Sequence, residues 1–436
     1  MTRPGGRWQN WGRTEQVRPR RVERPPSVDA VRRAVDAAAR RGLRVKAVGA
    51  GHSFSAIALA PDILLDLDDL SRLVDVDRER GLATFAAGTR LHRIPALLAP
   101  YGLAMENLGD IDRQSLAGAI STGTHGTGIR FGGLGSQVAG TTLVTADGER
   151  VTVTEEDGEL LDAVAVSLGA LGVIVEVTLR CVPAFVLAAR ERPEPLQEVC
   201  DDLAARAERD DHFEFYWFPG TDLALTKSQQ RHPADTPTRP LSAGARFLED
   251  VVVGGVLHRA ACATGALLPA SVPSLNRVST RVWGGRDFSD ASAAVFATRR
   301  SVRFAEMEYA VPVERLVPAF EAVRDLIRRR GWRISFPIEV RTAAADAAWM
   351  STSHGRESGY IAVHRYWRED PGAYFDAVEE ILLAEGGRPH WGKMHAQDAA
   401  VLASRYPRFA DFVALRDQWD PHRVFANPYL ERVLGG

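Results

Sequence analysis

The chain is poor in cysteine. Cys181, Cys200 and Cys262 are the only three in 436 residues, too scattered for a disulfide framework and without a CxxC pair for zinc or dithiol chemistry, so a reducing cytoplasm and no metal site are expected. An excess of either charge is also missing. The 54 Lys and Arg against 56 Asp and Glu leave −2 overall, and no global field calls for nucleic acid. No unbroken apolar run has membrane-spanning length. The longest candidate, Val251 to Val272, is interrupted by His258, Arg259 and the glycines 254, 255 and 265, and reads as partly buried helix or loop. The Arg-rich opening, Met1 to Pro26, has no apolar core segment, which excludes a secretory signal. Lysine itself is scarce: Lys46, Lys227 and Lys393 are the only three, which makes each worth locating.

What is present is an ordinary globular composition, 45% hydrophobic and 25% charged, over a length that suits two to three domains. Ser27 can cap a helix whose Val28, Val31, Val35 and Ala38 repeat at three and four residues, with Gly42 to end it. Strands are expected at 44–48, 63–67, 73–76 and 82–87, then an amphipathic helix carrying Leu91, Ile94, Leu97 and Leu98. Further strands at 136–145 and 150–154 meet across a turn at Asp147-Gly148, and another spans 173–182. This is mixed α+β and not a regular βαβ alternation.

A first domain closes near Cys181-Val182-Pro183. Beyond it come a helix over 196–209, the aromatic strand 213–218 and a polar loop over 232–240. Strand 304–311, helix 314–331, strands 334–341 and 360–367 and helix 374–385 follow.

Two glycine-rich segments carry chemistry. Gly49-Ala50-Gly51-His52-Ser53-Phe54 follows a strand, where glycines permit tight turns and close ligand approach. It is no dinucleotide fingerprint, because Phe54 occupies the third small position. Gly118 to Gly128, with Ser121, Thr122, Thr124 and Thr127 among its glycines, offers backbone N–H groups and short hydroxyls of the kind that hold a pyrophosphate. Each segment alone reads more simply as a turn than as a phosphate site, and His52 or His125 alone more simply as a hydrogen-bonded loop or core histidine than as a catalytic group. Glu339 and Arg341 alternate on one strand and so share a face. By themselves they read most simply as a charge pair on a solvated face, and Lys393 as one more surface cation.

Taken together and in order, these segments resemble the FAD-binding family of vanillyl-alcohol oxidase type, in its sugar-1,4-lactone oxidoreductase branch. The matching residues are Gly49-Ala50-Gly51-His52-Ser53, Glu106-Asn107-Leu108-Gly109-Asp110-Ile111, Gly123-Thr124-His125-Gly126-Thr127-Gly128 and Ser167-Leu168-Gly169-Ala170-Leu171-Gly172. The match continues through Ile338-Glu339-Val340-Arg341, Pro389-His390-Trp391-Gly392-Lys393 and Phe425-Ala426-Asn427-Pro428-Tyr429, and so spans almost the whole chain. His-Trp-Gly-Lys is the most specific mark of the branch.

The resemblance implies an α+β protein with a two-part FAD-binding domain, residues 1–183 completed by 401–436, around an α+β substrate cap at 184–400. It implies FAD bound covalently through His52, with Gly49, Ala50, Gly51, Ser53, Gly118 and Ser121 along it. Gly123, Thr124, His125, Gly126, Gly172 and Lys393 are implied in the same role. Glu339, Arg341 and Lys393 become the catalytic set: the two cations stabilise developing negative charge and Glu339 orients hydroxyls. Gly109 stands where the family gates oxygen access to the flavin; a turn requiring positive φ is the other use of a glycine there. The implied reaction oxidises a sugar 1,4-lactone at C2. L-gulono-1,4-lactone would give L-ascorbate, and D-arabinono-1,4-lactone or a polyol such as xylitol remain open as substrates. The electrons would pass to oxygen or to a cytochrome- or quinone-type acceptor. The expected location is cytoplasmic with possible membrane association, with no transmembrane segment and no nucleic-acid partner.

Overall fold

In the computed structural model, which describes residues 2–4, 6–282, 285–298 and 301–436, Ser27 caps the helix Val28–Ala39 by accepting from the Ala30 N–H. The side chains of residues 2–4, 249–251 and 282 lie outside that description, as does Met1 at the head of the Arg-rich opening. The helix buries Val31, Ala34, Val35 and Ala38, the face its spacing predicts. Around it, Ile63–Asp66 pairs in parallel with both Arg21–Glu23 and Val45–Val48. These two pairings are the parallel ladders among the described strands; the others are antiparallel. The helix expected around Leu91 to Leu98 is short, a single 3-10 turn followed by Ile94–Leu98.

A second sheet runs in the order Arg150–Thr154, Val138–Val144, Val173–Pro183, Leu82–Ala86, Leu73–Asp77, antiparallel throughout. The turn at Asp147-Gly148 joins its first two strands as the sequence predicts. The chain changes sheet at Ala184: Phe185–Pro195 opens a third sheet, eight-stranded among the described residues. Its order is 286–291, 185–195, 223–233, 212–217, 338–343, 358–366, 304–312, 388–389.

The departures from expectation have local causes. Phe185–Pro195 and Leu223–Pro233 pair over eleven residues each yet carry no strand-like apolar alternation. Pro193 and Pro195 interrupt the first, tolerated because its second neighbour, Arg286–Ala291, pairs only as far as Glu191. The loop expected at 232–240 therefore begins only after Pro233. Asp202 divides the helix expected at 196–209 into Leu196–Asp201 and Leu203–Arg209. The strand expected from Ile334 starts at Ile338, because Pro337 has no N–H for the ladder. The apolar stretch after Phe247 is helical through Leu267, with Cys262 and Gly265 buried; among the described residues no helix is long and apolar enough to cross a membrane.

Strand alternation sorts the third sheet into two unlike faces. Phe213, Phe215, Met307, Val340 and Val363 pack under the helices Leu316–Arg330 and Gly372–Ala384. Their strand neighbours, Glu214, Glu306, Glu339, Arg341 and His364, point the other way and are buried too. The closing helices, Ala399–Ala403, Phe409–Trp419 and Pro428–Leu434, return to the first core, where Phe412 and Phe425 join Val35 and Ile63.

Candidate active site

The loop that leaves Val45–Val48 lines a cleft with Gly49, Ala50, Gly51, His52 and Ser53, opposite Gly118 and Ser121 of the helix Leu116–Ser121 and close to Gly172. Backbone dominates its walls. A Cβ on Gly49 would stand 2.1 Å from the Ser115 Oγ, and Gly51 holds φ +67°. The two loops can approach this closely only with glycine there. Such a cradle, glycine backbone with a single cation, fits an extended dinucleotide whose phosphates are met by N–H groups. That cation is Lys46. Its Nζ donates to the carbonyl of Gly169 at 2.9 Å and to those of Leu168 and Phe425 at 3.4 Å, tying the first sheet to the closing segment. Burial, opposed by Asp420, brings its pKa down to about 7.

His52 stacks on Trp11 at 5.9 Å. Burial and the nearby cations Arg90, Lys393 and Arg113 push its pKa down to about 4, so at neutral pH the ring is uncharged and keeps a free lone pair. The same loop is pinned to the His-Trp-Gly-Lys turn: the Phe54 N–H donates to the Gly392 carbonyl at 2.6 Å, and the Ser55 hydroxyl to the Trp391 carbonyl at 2.7 Å.

Beside this junction lies a cavity of about 400 Å³ on the charged face of the third sheet, with Glu339, Arg341 and Lys393 in its wall. The solvated-face reading of Glu339 and Arg341 is overturned: both are buried, because loops and the helical segment after Phe247 cover this face. Arg341 is bonded to Glu339, donates from Nε to Glu214 at 2.8 Å and stands 3.7 Å from Asp110. Its burial would favour the neutral form, but Glu339 and Glu214 outweigh that and hold it firmly protonated. Lys227 lies 3.5 Å from Glu214, and the Tyr216 hydroxyl donates to Glu214 at 3.1 Å.

Lys393 is no surface cation either. Its Nζ sits 2.5 Å from Glu306 and 3.9 Å from Glu308. Burial alone would raise the Glu306 pKa, yet Lys393 and His364 hold it down at about 2. His364 donates from Nδ1 to the Pro337 carbonyl at 2.9 Å, which turns Nε2 toward Glu306 at 3.4 Å. All three lysines of the chain thus stand in these two clefts.

Gly109, Gly123, Thr124, His125 and Gly126 are not among the residues that line this glycine cleft. Thr124 accepts from Gln114, and Thr127 and Gly128 donate to the carbonyls of Phe213 and Thr342, so this loop ties the segment around Gln114 to the third sheet. His125 stacks on Tyr360 at 3.7 Å, its Nε2 3.4 Å from Glu308. With His390 these two bring three donor atoms within 4.8 Å of one another, and Lys393 already supplies the carboxylate with positive charge. Gly109 has no positive φ, which removes the turn explanation; a Cβ there would meet the His125 carbonyl at 3.0 Å.

Sequence reasoning passed over Glu214, Glu306, Glu308 and His364. Their signal was present as charged residues at alternate positions of otherwise apolar strands, 213–218, 304–311 and 360–367. A larger cavity, about 740 Å³, lies over strands 185–195 and 223–233, walled by Arg206, Arg209 and Arg239, and holds none of the residues selected from the sequence.

Residues 19–154 match the FAD binding domain and residues 177–433 match D-arabinono-1,4-lactone oxidase. The chain is 44% identical over 428 residues to L-gulono-1,4-lactone dehydrogenase of Mycobacterium tuberculosis (strain H37Rv), covering 98% of this chain and 99% of that one. It is 33% identical over 440 residues to L-gulonolactone oxidase of Bos taurus, covering 99% and 98%. It is 32% identical over 445 residues to alditol oxidase of a Streptomyces species, covering 98% and 99%. The crystal structure of a cholesterol oxidase from B. sterolicum superposes with a TM-score of 0.84 at 16% identity, over 100% of this chain and 97% of that one, and so shares its fold.

Proposed function

Because the chain belongs to the D-arabinono-1,4-lactone oxidase family of FAD-dependent oxidoreductases, we propose that it oxidises a sugar 1,4-lactone, L-gulono-1,4-lactone foremost, at C2. The observation that carries this reading is the pair of cations, the buried Arg341 and the half-buried Lys393, in the wall of one cavity beside the His52 loop. FAD, when bound, supplies the two-electron acceptor. The protein's own part is positioning and charge. Glu339 and Glu214 hold Arg341 in place, and Glu306 holds Lys393; both cations stabilise negative charge developing on the substrate oxygen. The hydroxyl proton passes to His364 Nε2, where Glu306 stabilises it.

Gly49, Ala50, Gly51, His52, Ser53, Gly118, Ser121 and Gly172 hold the cofactor, with residues 1–183 and 401–436 as its domain and 184–400 as the cap. The change of sheet at Ala184 and the return of the closing helices to the first core support that division. The uncharged ring of His52 supports covalent attachment, which acid precipitation tests: flavin stays with the protein pellet, and His52→Ala releases it. Three free, buried cysteines suit a reducing cytoplasm. Either oxygen or a cytochrome- or quinone-type acceptor takes the electrons.

Anaerobic flavin bleaching across lactones and polyols tests the substrate. L-gulono-1,4-lactone is expected to bleach fastest. Bleaching by xylitol with none by any lactone would assign the protein to polyols instead, and reoxidation by oxygen or cytochrome c identifies the acceptor.

A further inference from the structure

The cavity of about 740 Å³ over the edge of the third sheet has no part in the lactone chemistry. It lies across strands 185–195, 223–233 and 286–291, whose alternation decides which side chains reach it. Ala188, Ser228 and Ser289 give it a floor of small side chains. Lys227, the strand neighbour of Ser228, turns to the opposite face and meets Glu214 in the substrate cavity, so the sheet separates the two spaces. The helices Leu316–Arg330 and Gly372–Ala384 pack on the other end of this sheet, against strands 304–312 and 358–366. At this end the short helix Leu203–Arg209 supplies one wall, through Arg206 and Arg209.

Charge identifies what the cavity takes. Arg190, Arg206, Arg209 and Arg239 stand in its wall against Glu194, Asp210 and Asp287, and every one of those acids is already engaged. The Glu194 oxygens are taken by Arg206 at 2.8 Å and the Thr226 hydroxyl at 2.5 Å; Asp210 stands 3.1 Å from Arg209, and Asp287 2.6 Å from Arg192. Arg190 and Arg239 are left over. Both are exposed, and among the described residues neither has a carboxylate at ion-pair distance, Arg190 acting on Glu194 only through space. The Arg239 N–H donates to the Ser289 hydroxyl oxygen at 2.8 Å, which fixes Arg239 at the rim and leaves the hydroxyl hydrogen free to donate. The chain as a whole carries −2, so attraction for an anion here is local and not a property of the whole surface. Guanidinium forks match phosphate oxygens two at a time, and a chain of phosphates offers acceptors to both forks at once. The volume falls within the range of sites for small organic ligands, roughly 300–1,000 Å³, and far exceeds what a single phosphate fills.

We propose that this cavity binds a soluble organic polyphosphate of nucleotide size, with its phosphates between Arg190 and Arg239. The bound molecule takes no part in flavin reduction, because the sheet stands between it and Arg341. This goes beyond the lactone chemistry and stands whichever lactone is oxidised.

Isothermal titration of the flavin-loaded protein with magnesium-free ATP and with tripolyphosphate tests it, the flavin keeping both probes out of the glycine cleft. ATP should bind once per chain, at least as tightly as tripolyphosphate, and anaerobic addition of L-gulono-1,4-lactone should leave its affinity unchanged. Arg190→Ala/Arg239→Ala should weaken ATP binding by about 100-fold, about tenfold for each lost fork, while melting temperature and rate of reduction by lactone stay as they were. Arg329→Ala/Arg330→Ala, which removes two equally exposed arginines at the end of Leu316–Arg330, should leave ATP binding intact. No saturable binding, displacement by the lactone, or a loss in Arg190→Ala/Arg239→Ala no greater than in Arg329→Ala/Arg330→Ala overturns the proposal. So does ATP binding at least tenfold weaker than tripolyphosphate, since the cavity then takes a bare ion only.

Discussion

The glycine cleft presents backbone, while the cavity under Arg341 presents charge. Along the first, Gly49, Gly51 and Gly118 bring chain against chain and Lys46 is the only lysine or arginine in the wall. Around the second, Arg341, Lys227 and Lys393 are met by Glu214, Glu339, Asp110, Glu306 and Glu308, all within a few ångströms. The two regions touch where Phe54 donates to the Gly392 carbonyl. Their difference teaches two kinds of dependence. A backbone cradle fails when atoms are added, because its function is space. A buried charge network fails when one member is removed, because every remaining charge was desolvated on the strength of its partner.

The strongest test of that contrast removes a cation. Arg341→Met removes the guanidinium that the buried Glu339 and Glu214 share, and should lower stability by about 3–5 kcal/mol and slow flavin reduction by at least about 1,000-fold. Lys393→Ala should slow reduction by roughly 100-fold or more with flavin still bound, and Lys393→Arg should not restore it, since a planar fork replaces a compact ammonium. Thermal melts and anaerobic stopped-flow check both; normal reduction in either variant would remove that residue from the chemistry.

In the cradle the opposite operation should hurt. Gly49→Ala puts a methyl group where the Ser115 Oγ stands, and flavin occupancy is expected to drop about tenfold, with Ser115→Ala recovering part of it. Reduction per bound flavin should be unchanged. A slowed reduction at full occupancy would show that the two regions are not separable in this way.

Acid should act on both regions through one mechanism. His52 and His212 sit near 4, and His390 and His395 near 3, each depressed chiefly by burial. The unfolded chain binds protons on these rings near pH 6.5 while the folded chain refuses them, so their contribution is fully present above about 6.5 and lost as pH falls toward 4. Glu306, held near 2, adds stability present above about 4.5 and lost below it. Far-ultraviolet circular dichroism and flavin fluorescence should therefore report unfolding between about pH 6 and 4; a folded, flavin-bound protein at pH 4 contradicts these neutral histidines.

The smallest effect is expected at Gly109. Its backbone suits any residue, so Gly109→Ala asks only for a slight shift of the His125 carbonyl. Reoxidation of the reduced enzyme by oxygen should slow by about threefold more than reduction by substrate, a differential of well under 1 kcal/mol. Equal slowing of the two half-reactions, followed separately by stopped-flow, rejects the gate.

Local pattern carried far in this chain. The Ser27 cap and the spacing of Val28, Val31 and Val35 specified a helix within a residue or two of its ends, since capping and periodicity act over a few residues. Gly49 to Ser53 and His-Trp-Gly-Lys meet in the structure as neighbouring turns, because close backbone approach leaves a mark in residue type. The strands Phe185–Pro195 and Leu223–Pro233 left none: their partners lie far along the chain, and a strand buried among charges does not alternate in hydropathy.

The amino-acid sequence by itself determined most element types up to 183 and again from 304 on, the glycines of the cradle and the residue types at 339, 341 and 393. Only the tertiary structure decided that Glu339 and Arg341 are buried, that Glu214 and Glu306 hold the cations, and that the Gly123 to Gly128 loop reaches the third sheet. The reason is physical. A side chain's charge is written in its own residue, but its solvation and its partner belong to whatever segments the fold brings against it.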